Sequence, residues 1–459
     1  MALVAGHWRT GRPSVRGVGT ATCRIADRDA VRRLLQRVGL GPRPGELDDA
    51  AARGFDATVS VLTQPVTGPD AGVAATPLPD FGAPVAPLAK TASIQARQAQ
   101  RREQAAQARL LQVWWLDRMA AVDAPFPERM TWFWHGHFAT SIIKVRRAQL
   151  MAAQNATQRQ LGRGDFRALA QAMIVDPAML VWLDGGGNRV GRPNENLARE
   201  FMELFTLGVG NYSETDVRQA ARALTGWQVN YRTDTPVFRP RAHDAGPEAV
   251  LGAPGDYDPS SLVDRILGQP TAPRYLAQRI WIRYVADTPP DPATLDRLVA
   301  AYGPGHDITA MLTAALRSPA FRDPASVLVR EPVLWLVGAL RALRLPASKL
   351  PLVALAATLT GLGQVPFAPP NVGGWPAGPQ WVTTAAALTR LQVARTLASL
   401  GDISPVSDAA PADRVDAAAV LLSLPTLTDR TRGALRTLAN DPAQLVALAL
   451  ASPENTVSA

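Results

Sequence analysis

Glu200 sits where a carboxylate is hard to accommodate. The stretch from Asn194 to Thr206 (NENLAREFMELFT) reads as a helix, and a helix advances about 100° per residue. With Glu195 at zero, Thr206 falls at about 20°, Arg199 at about 40° and Glu203 at about 80°, forming a polar stripe. Leu207, Leu204, Leu197, Phe201 and Phe205 spread from about 120° to about 280°, and Glu200 lands among them at about 140°. A carboxylate on a face meant for burial needs a proton, a partner or a metal ion. Glu195, Arg199 and Glu203 have an ordinary explanation as an i, i+4, i+8 surface ladder. Glu200 has none on its own helix. A histidine meeting it would make a site. An arginine such as Arg218 or Arg222 would make a structural brace.

Other residues could join such a site. In WFWHGHF (132–138), His135 and His137 are two positions apart. On an extended chain both rings face one way and can share a metal ion; on a helix they diverge by about 200° and cannot. Gly136 between them permits the irregular backbone that chelation needs, and the flanking aromatics would keep the place dry. The bland alternative is a pair of hydrogen-bonded histidines at a helix end. His243 stands beside Asp244 in RPRAHDAG and suits a ligand, a general base or a turn. Pro193 and Asn194 open the Glu200 helix, and a helix start attracts anions, so Arg192 and Asn194 are candidates to position a phosphate or carboxylate. FAPPNVGGWP (367–376) reads as a rigid loop, a pocket wall or, more simply, a brace between helices.

Several chemistries find no support. The chain lacks a phosphate loop, a nucleophile elbow, His-Glu-x-x-His and a dinucleotide fingerprint. Cys23 is the only cysteine, which rules out an internal disulfide and cysteine zinc motifs. The net charge of +9 comes mostly from scattered arginine, without a basic run or an aromatic-interleaved strip, so nucleic acid is not an expected partner. No stretch approaches the roughly 20 apolar residues of a membrane span. The first residues lack an apolar run of signal-peptide length. Cytoplasm is the default compartment, and export is the alternative if the true start lies upstream.

The elements that must position these residues are helical. With 459 residues, 47% hydrophobic and 19% charged, the chain can build a large core. Helical spacing predicts helices over 27–38, two short ones in 46–62 hinged at Gly54, a long one over 91–122, then 143–161, 165–174, 177–183, 194–208 and 214–225. More follow at 260–267, 272–286, 291–302, 307–317, 325–343, 351–363 and 382–400. Only Trp227 to Phe238 alternates like a hairpin. Residues 1–26 read as a disordered lead, 27–400 as the main helical domain with a Pro/Ala-rich loop at 64–89, 401–413 as a linker and 414–459 as a C-terminal helical segment. DITAMLTAALRSP (307–319) and DPAQLVALALASP (441–453) echo each other.

RLLQRVGLGPRPGELDDAAARGF (33–55), ERMTWFWHGHFATS (128–141), GRPNENLAREFMELFTLGVG (191–210), VREPVLWLVGALRAL (329–343) and FAPPNVGGWP together resemble a bacterial family of unknown function, family 1800. The chain departs from it in its lead and in ending SPENTVSA, where the family more often carries an aromatic after SPE. The resemblance implies a mostly helical protein and a phosphatase/sulfatase-like companion. It establishes no functional residue, so none is carried over.

The expectation is therefore an all-α or nearly all-α protein with one of two functions. In the first it is a metal-dependent enzyme, hydrolytic or oxidative. His135 and His137 are its ligands, Glu200 is a further ligand or base, His243 completes the site, and zinc, manganese or iron is bound. In the second it is a non-catalytic scaffold or partner protein whose polar residues form a buried structural network.

Overall fold

The structure, a computed structural model, describes residues 16–85 and 88–458, with side chains from Asp27 onward. Residues 1–15 of the expected lead lie outside them; the rest of the lead is the backbone of a helix, Arg16–Arg37. Helices dominate the described residues, and strands are confined to three two-stranded antiparallel ladders. The mainly helical expectation holds.

Local chemistry explains where the elements begin. Asp176, Asp258, Asp291 and Asp441 each accept a hydrogen bond from a first-turn amide and are followed by proline at the first helical position. Proline lacks the N–H that a first turn leaves unpaired, and its φ already suits a helix. Gly54, at φ 89°, separates the helices Glu46–Arg53 and Phe55–Thr63, the expected hinge. The hairpin forms as read: Trp227 pairs with Phe238 and Asn230 with Thr235. Two expected helices are interrupted. The first, over 143–161, breaks at Arg146, which is left-handed at φ 57°, giving Ile142–Val145 and Ala148–Leu161. In the second, 325–343, Pro332 holds Glu331 extended at ψ 141°, so Pro332–Ala342 is preceded by a short strand, Leu328–Val329.

The apolar side chains form two clusters. The first gathers Val31 and Leu34, much of Phe126–His137, and the helices from Phe166 to Phe321. The second gathers the apolar half of Ile94–Ala121, the helix Pro332–Ala342 and the C-terminal helices. The C-terminal helical segment, 414–459, packs into the second core: Leu445, Val446 and Leu450 are buried there, and Trp335 Nε1 donates to Leu450 O at 3.0 Å. The echoed segments are both Asp-capped helices. The chain after each leads to one strand of a single ladder, Leu328–Val329 against Val457–Ser458. Among the described residues, no helix is long and apolar enough to cross a membrane.

Candidate functional site

Phe126–His137 lies at the seam between the two cores, and every residue of it except Pro127 and Gly136 is buried. His-x-His is therefore helical, and the two rings part. His135 turns to the second core, among Trp115, Trp132, Phe367 and Trp375, with ring centroids 5.1 to 6.1 Å away. Its Nε2 accepts the Phe367 N–H at 2.9 Å, which sets the tautomer with the proton on Nδ1. His137 turns to the first core, among Phe133, Trp134, Phe138 and Phe205. Its Nε2 donates to Phe205 O at 2.9 Å, and its Nδ1 is buried without a hydrogen-bond partner among the described residues. Burial holds both rings neutral, with pKa values lowered to about 3; the nearby Arg279 adds to the effect on His137.

The Glu200 helix is not uniform. After Glu195–Glu200 the chain widens into a π-helix, Phe201–Thr206, in which the Leu207 N–H reaches back five residues to Met202 O at 2.8 Å. A wider turn rotates everything downstream relative to Glu200, so an even 100° step misplaces it against Leu204 and Leu207. The same rotation buries Thr206, expected on the polar stripe, where its hydroxyl donates to Phe201 O at 2.6 Å. Two side chains from elsewhere serve carbonyls of the widened turn. Tyr275 OH donates to Leu204 O at 2.7 Å, and His137 serves Phe205 O.

Glu200 itself is half-buried, and no side chain hydrogen-bonds or ion-pairs with it among the described residues. Burial raises its pKa, Glu203 adds to the rise, and Arg199 opposes it. Neither a histidine nor either proposed arginine meets it: Arg218 bonds Thr215, and Arg222 grips Asp244 through two bonds of 3.0 and 3.1 Å. The surface ladder is also different. Arg199 pairs with Glu195 at 2.9 Å and with Glu214 at 2.6 Å, while Glu203 accepts from the Tyr212 hydroxyl.

His243 performs turn chemistry. Its Nδ1 lies 3.1 Å from both Thr225 O and Thr225 Oγ1, and its ring stands edge-on to Phe238. Among the described residues, no group of three or more His, Cys, Asp or Glu is placed to hold a metal ion, so His135, His137, Glu200 and His243 are not brought together.

Arg192 and Asn194 do lie together, at an open cleft of about 820 Å³. Asn194 is engaged by the fold: its Oδ1 accepts from Asn196 N, its Nδ2 donates to Asp184 O, and its own N–H reaches Asn188 Oδ1. It caps the helix, which leaves one amide N–H and one oxygen lone pair of its side chain uncommitted. Arg192 is exposed at the cleft with Arg189, which shares its tight turn.

The profile of a family described as a protein of unknown function, DUF1800, matches residues 33–457. The chain belongs to the DUF1800 family. No curated protein and no solved structure matches it.

Two carboxylates of this DUF1800 chain carry more of its structure than Glu200 and were missed in sequence. Glu331 accepts from Trp132 Nε1 at 2.8 Å, Gln364 Nε2 at 2.9 Å and Arg283 Nη1 at 3.0 Å. Arg283 continues to Trp375 O and Pro376 O, at 2.6 and 2.9 Å, and so fastens the 367–376 loop. Glu128 accepts from Trp115 Nε1 at 2.9 Å, from Arg118 at 2.6 Å and from Arg159 through two bonds of 2.6 and 2.9 Å. Burial pushes both carboxyls up, but their arginines more than offset it and hold them below the usual range. The available signal was a lone acid at the edge of an apolar run, as in VREPVLWLV and PERMTWFW. The DUF1800 loop closes on the seam by contact as well. Trp375 stacks on Trp132 at 5.3 Å, and Gly374, at φ 79°, leaves room where a Cβ would stand 2.1 Å from Gly136 O.

Proposed function

We propose that this protein is a non-catalytic helical partner or scaffold protein whose signature polar residues form a structural network, and not a metal-dependent enzyme centred on His135, His137 and Glu200. One observation carries the reading: the two histidines enter different cores, and each is engaged by a backbone group there. Saturation of Glu128 and Glu331 by arginine, tryptophan and glutamine supports it. Buried charges satisfied in this way hold segments in register and have no spare capacity for a substrate.

The phosphatase/sulfatase-like companion implied by the family resemblance is the partner this reading assigns. Two measurements test it. Elemental analysis of the purified protein should find no stoichiometric zinc, manganese or iron, and adding these ions should leave the melting temperature unchanged. Co-expression with the companion should give a complex that survives size-exclusion chromatography. A stoichiometric metal that disappears in His135→Ala would overturn the reading in favour of the enzyme.

A further inference from the structure

The cleft beside Arg192 is lined by Lys144, Asp184, the glycines Gly186 and Gly187, Arg189, Glu195 and Tyr231, among others. Its volume of about 820 Å³ falls within the roughly 300–1,000 Å³ of small-ligand sites. The charges do not cancel. Lys144 is answered by Asp184 at 2.8 Å, and Glu195 is answered by Arg199 at 2.9 Å. The guanidinium groups of Arg189 and Arg192 have no ion-pair or hydrogen-bond partner among the described residues. Two uncompensated guanidinium groups rising from one tight turn suit a dianion with several oxygens, because each can offer a two-pronged contact.

The floor of the cleft points the same way. Gly186 and Gly187 lie in a 3₁₀ turn, Gly185–Gly187, and neither is held there by a left-handed backbone or by crowding: a Cβ at either position would meet nothing within 4 Å. Packing gives no reason for glycine, whereas close approach of a ligand to the backbone does. Tyr231 supplies an apolar wall. Its ring is held by the Arg147 guanidinium 5.1 Å from the centroid, and Arg147 is itself fixed by Asp234 at 3.4 Å.

We infer that this cleft is a binding site for a phosphate monoester carrying a planar apolar group. The phosphate sits on Arg189 and Arg192 against the bare glycine turn, and the apolar group lies on Tyr231. The inference goes beyond the proposed function and does not depend on the seam network, so failure of one leaves the other standing.

Titration calorimetry on the full chain with phenyl phosphate and with inorganic phosphate tests it. Phenyl phosphate should bind saturably and at least tenfold more tightly than inorganic phosphate. An Arg189→Ala/Arg192→Ala double variant should lose both by tenfold or more. Tyr231→Ala should remove the preference for the ester and keep the weaker phosphate binding. Gly187→Ala, whose added Cβ meets nothing within 4 Å, should weaken ester binding while the melting temperature holds. Absence of saturable binding, or binding unchanged in the double variant, overturns the site. Equal affinity for the two probes overturns the ester and leaves free phosphate as the occupant.

Discussion

Protonating either seam histidine places a charge in a ring of aromatic side chains, and the fold resists it. Both have pKa values lowered to about 3 in the folded state, against about 6.5 for a free histidine. Between those two values the unfolded chain binds more protons than the folded one, so stability falls as the pH falls through that window and is fully present above it. Each histidine adds a slope of up to about 1.4 kcal/mol per pH unit. Urea titrations should therefore show a midpoint that is flat above pH 7 and declines below pH 6. Glutamine retains an acceptor for Phe367 N–H at position 135 and a donor for Phe205 O at position 137 without titrating. His135→Gln and His137→Gln should each cost about 1–3 kcal/mol at pH 8 and flatten the acid slope. An unaltered slope in both variants would remove the histidines from the account. Glu128 and Glu331 act lower on the scale: their depressed pKa values mean that their contribution is lost only as the pH falls below the ordinary carboxylate range.

At the scale of elements, one contact that depends on a single residue type is Gly374 against Gly136. Gly374→Ala faces a left-handed φ of 79° and a carbonyl 2.1 Å from the new Cβ, so the 367–376 loop has to lift away from the seam helix. The expected loss is about 3 kcal/mol or more, measured as a drop in the urea midpoint; a change under about 0.5 kcal/mol would show that the loop does not brace the seam. Local elements were largely legible in the sequence because their causes are local. The Trp227–Phe238 alternation, the Gly54 hinge and the Asp-Pro helix starts all act within a few residues. The π-turn was not legible, because its carbonyls are served by Tyr275 and His137, which lie far away in sequence. How the candidate residues are placed relative to one another was not legible for the same reason. The periodicity around Glu200 assumed a uniform helix, and which residue meets which carboxylate is decided by tertiary packing. Of the candidates, the structure gathers only Arg192 and Asn194.

Across the whole molecule, the two cores are tied by more than the seam. Arg37, buried in the first helix, donates to Val285 O at 2.6 Å, Ser326 O at 2.5 Å and Ser458 O at 2.6 Å. Arg330 donates to Asn455 Oδ1 at 2.8 Å. The C-terminal helix Pro453–Thr456 and the strand after it thus supply acceptors for two buried cations, Asn455 for Arg330 and Ser458 for Arg37. Removing residues 453–459 should leave those guanidinium groups short of partners and cost about 3–5 kcal/mol. Calorimetry should show the loss as a lower melting temperature for the whole chain in one transition. A truncated chain that melts like the full one would show that the tail is not part of the tie.

The seam also gives the molecule an optical signature. Trp115, Trp132 and Trp375 are packed around His135, with Trp115 and Trp132 at 5.4 Å and Trp132 and Trp375 at 5.3 Å. Chromophores locked this closely in an asymmetric setting couple their transitions. The near-ultraviolet circular dichroism of the protein should therefore be dominated by this one junction, while the far-ultraviolet signal reports the helices as a whole. Any loosening of the two halves would fade the first signal before the second.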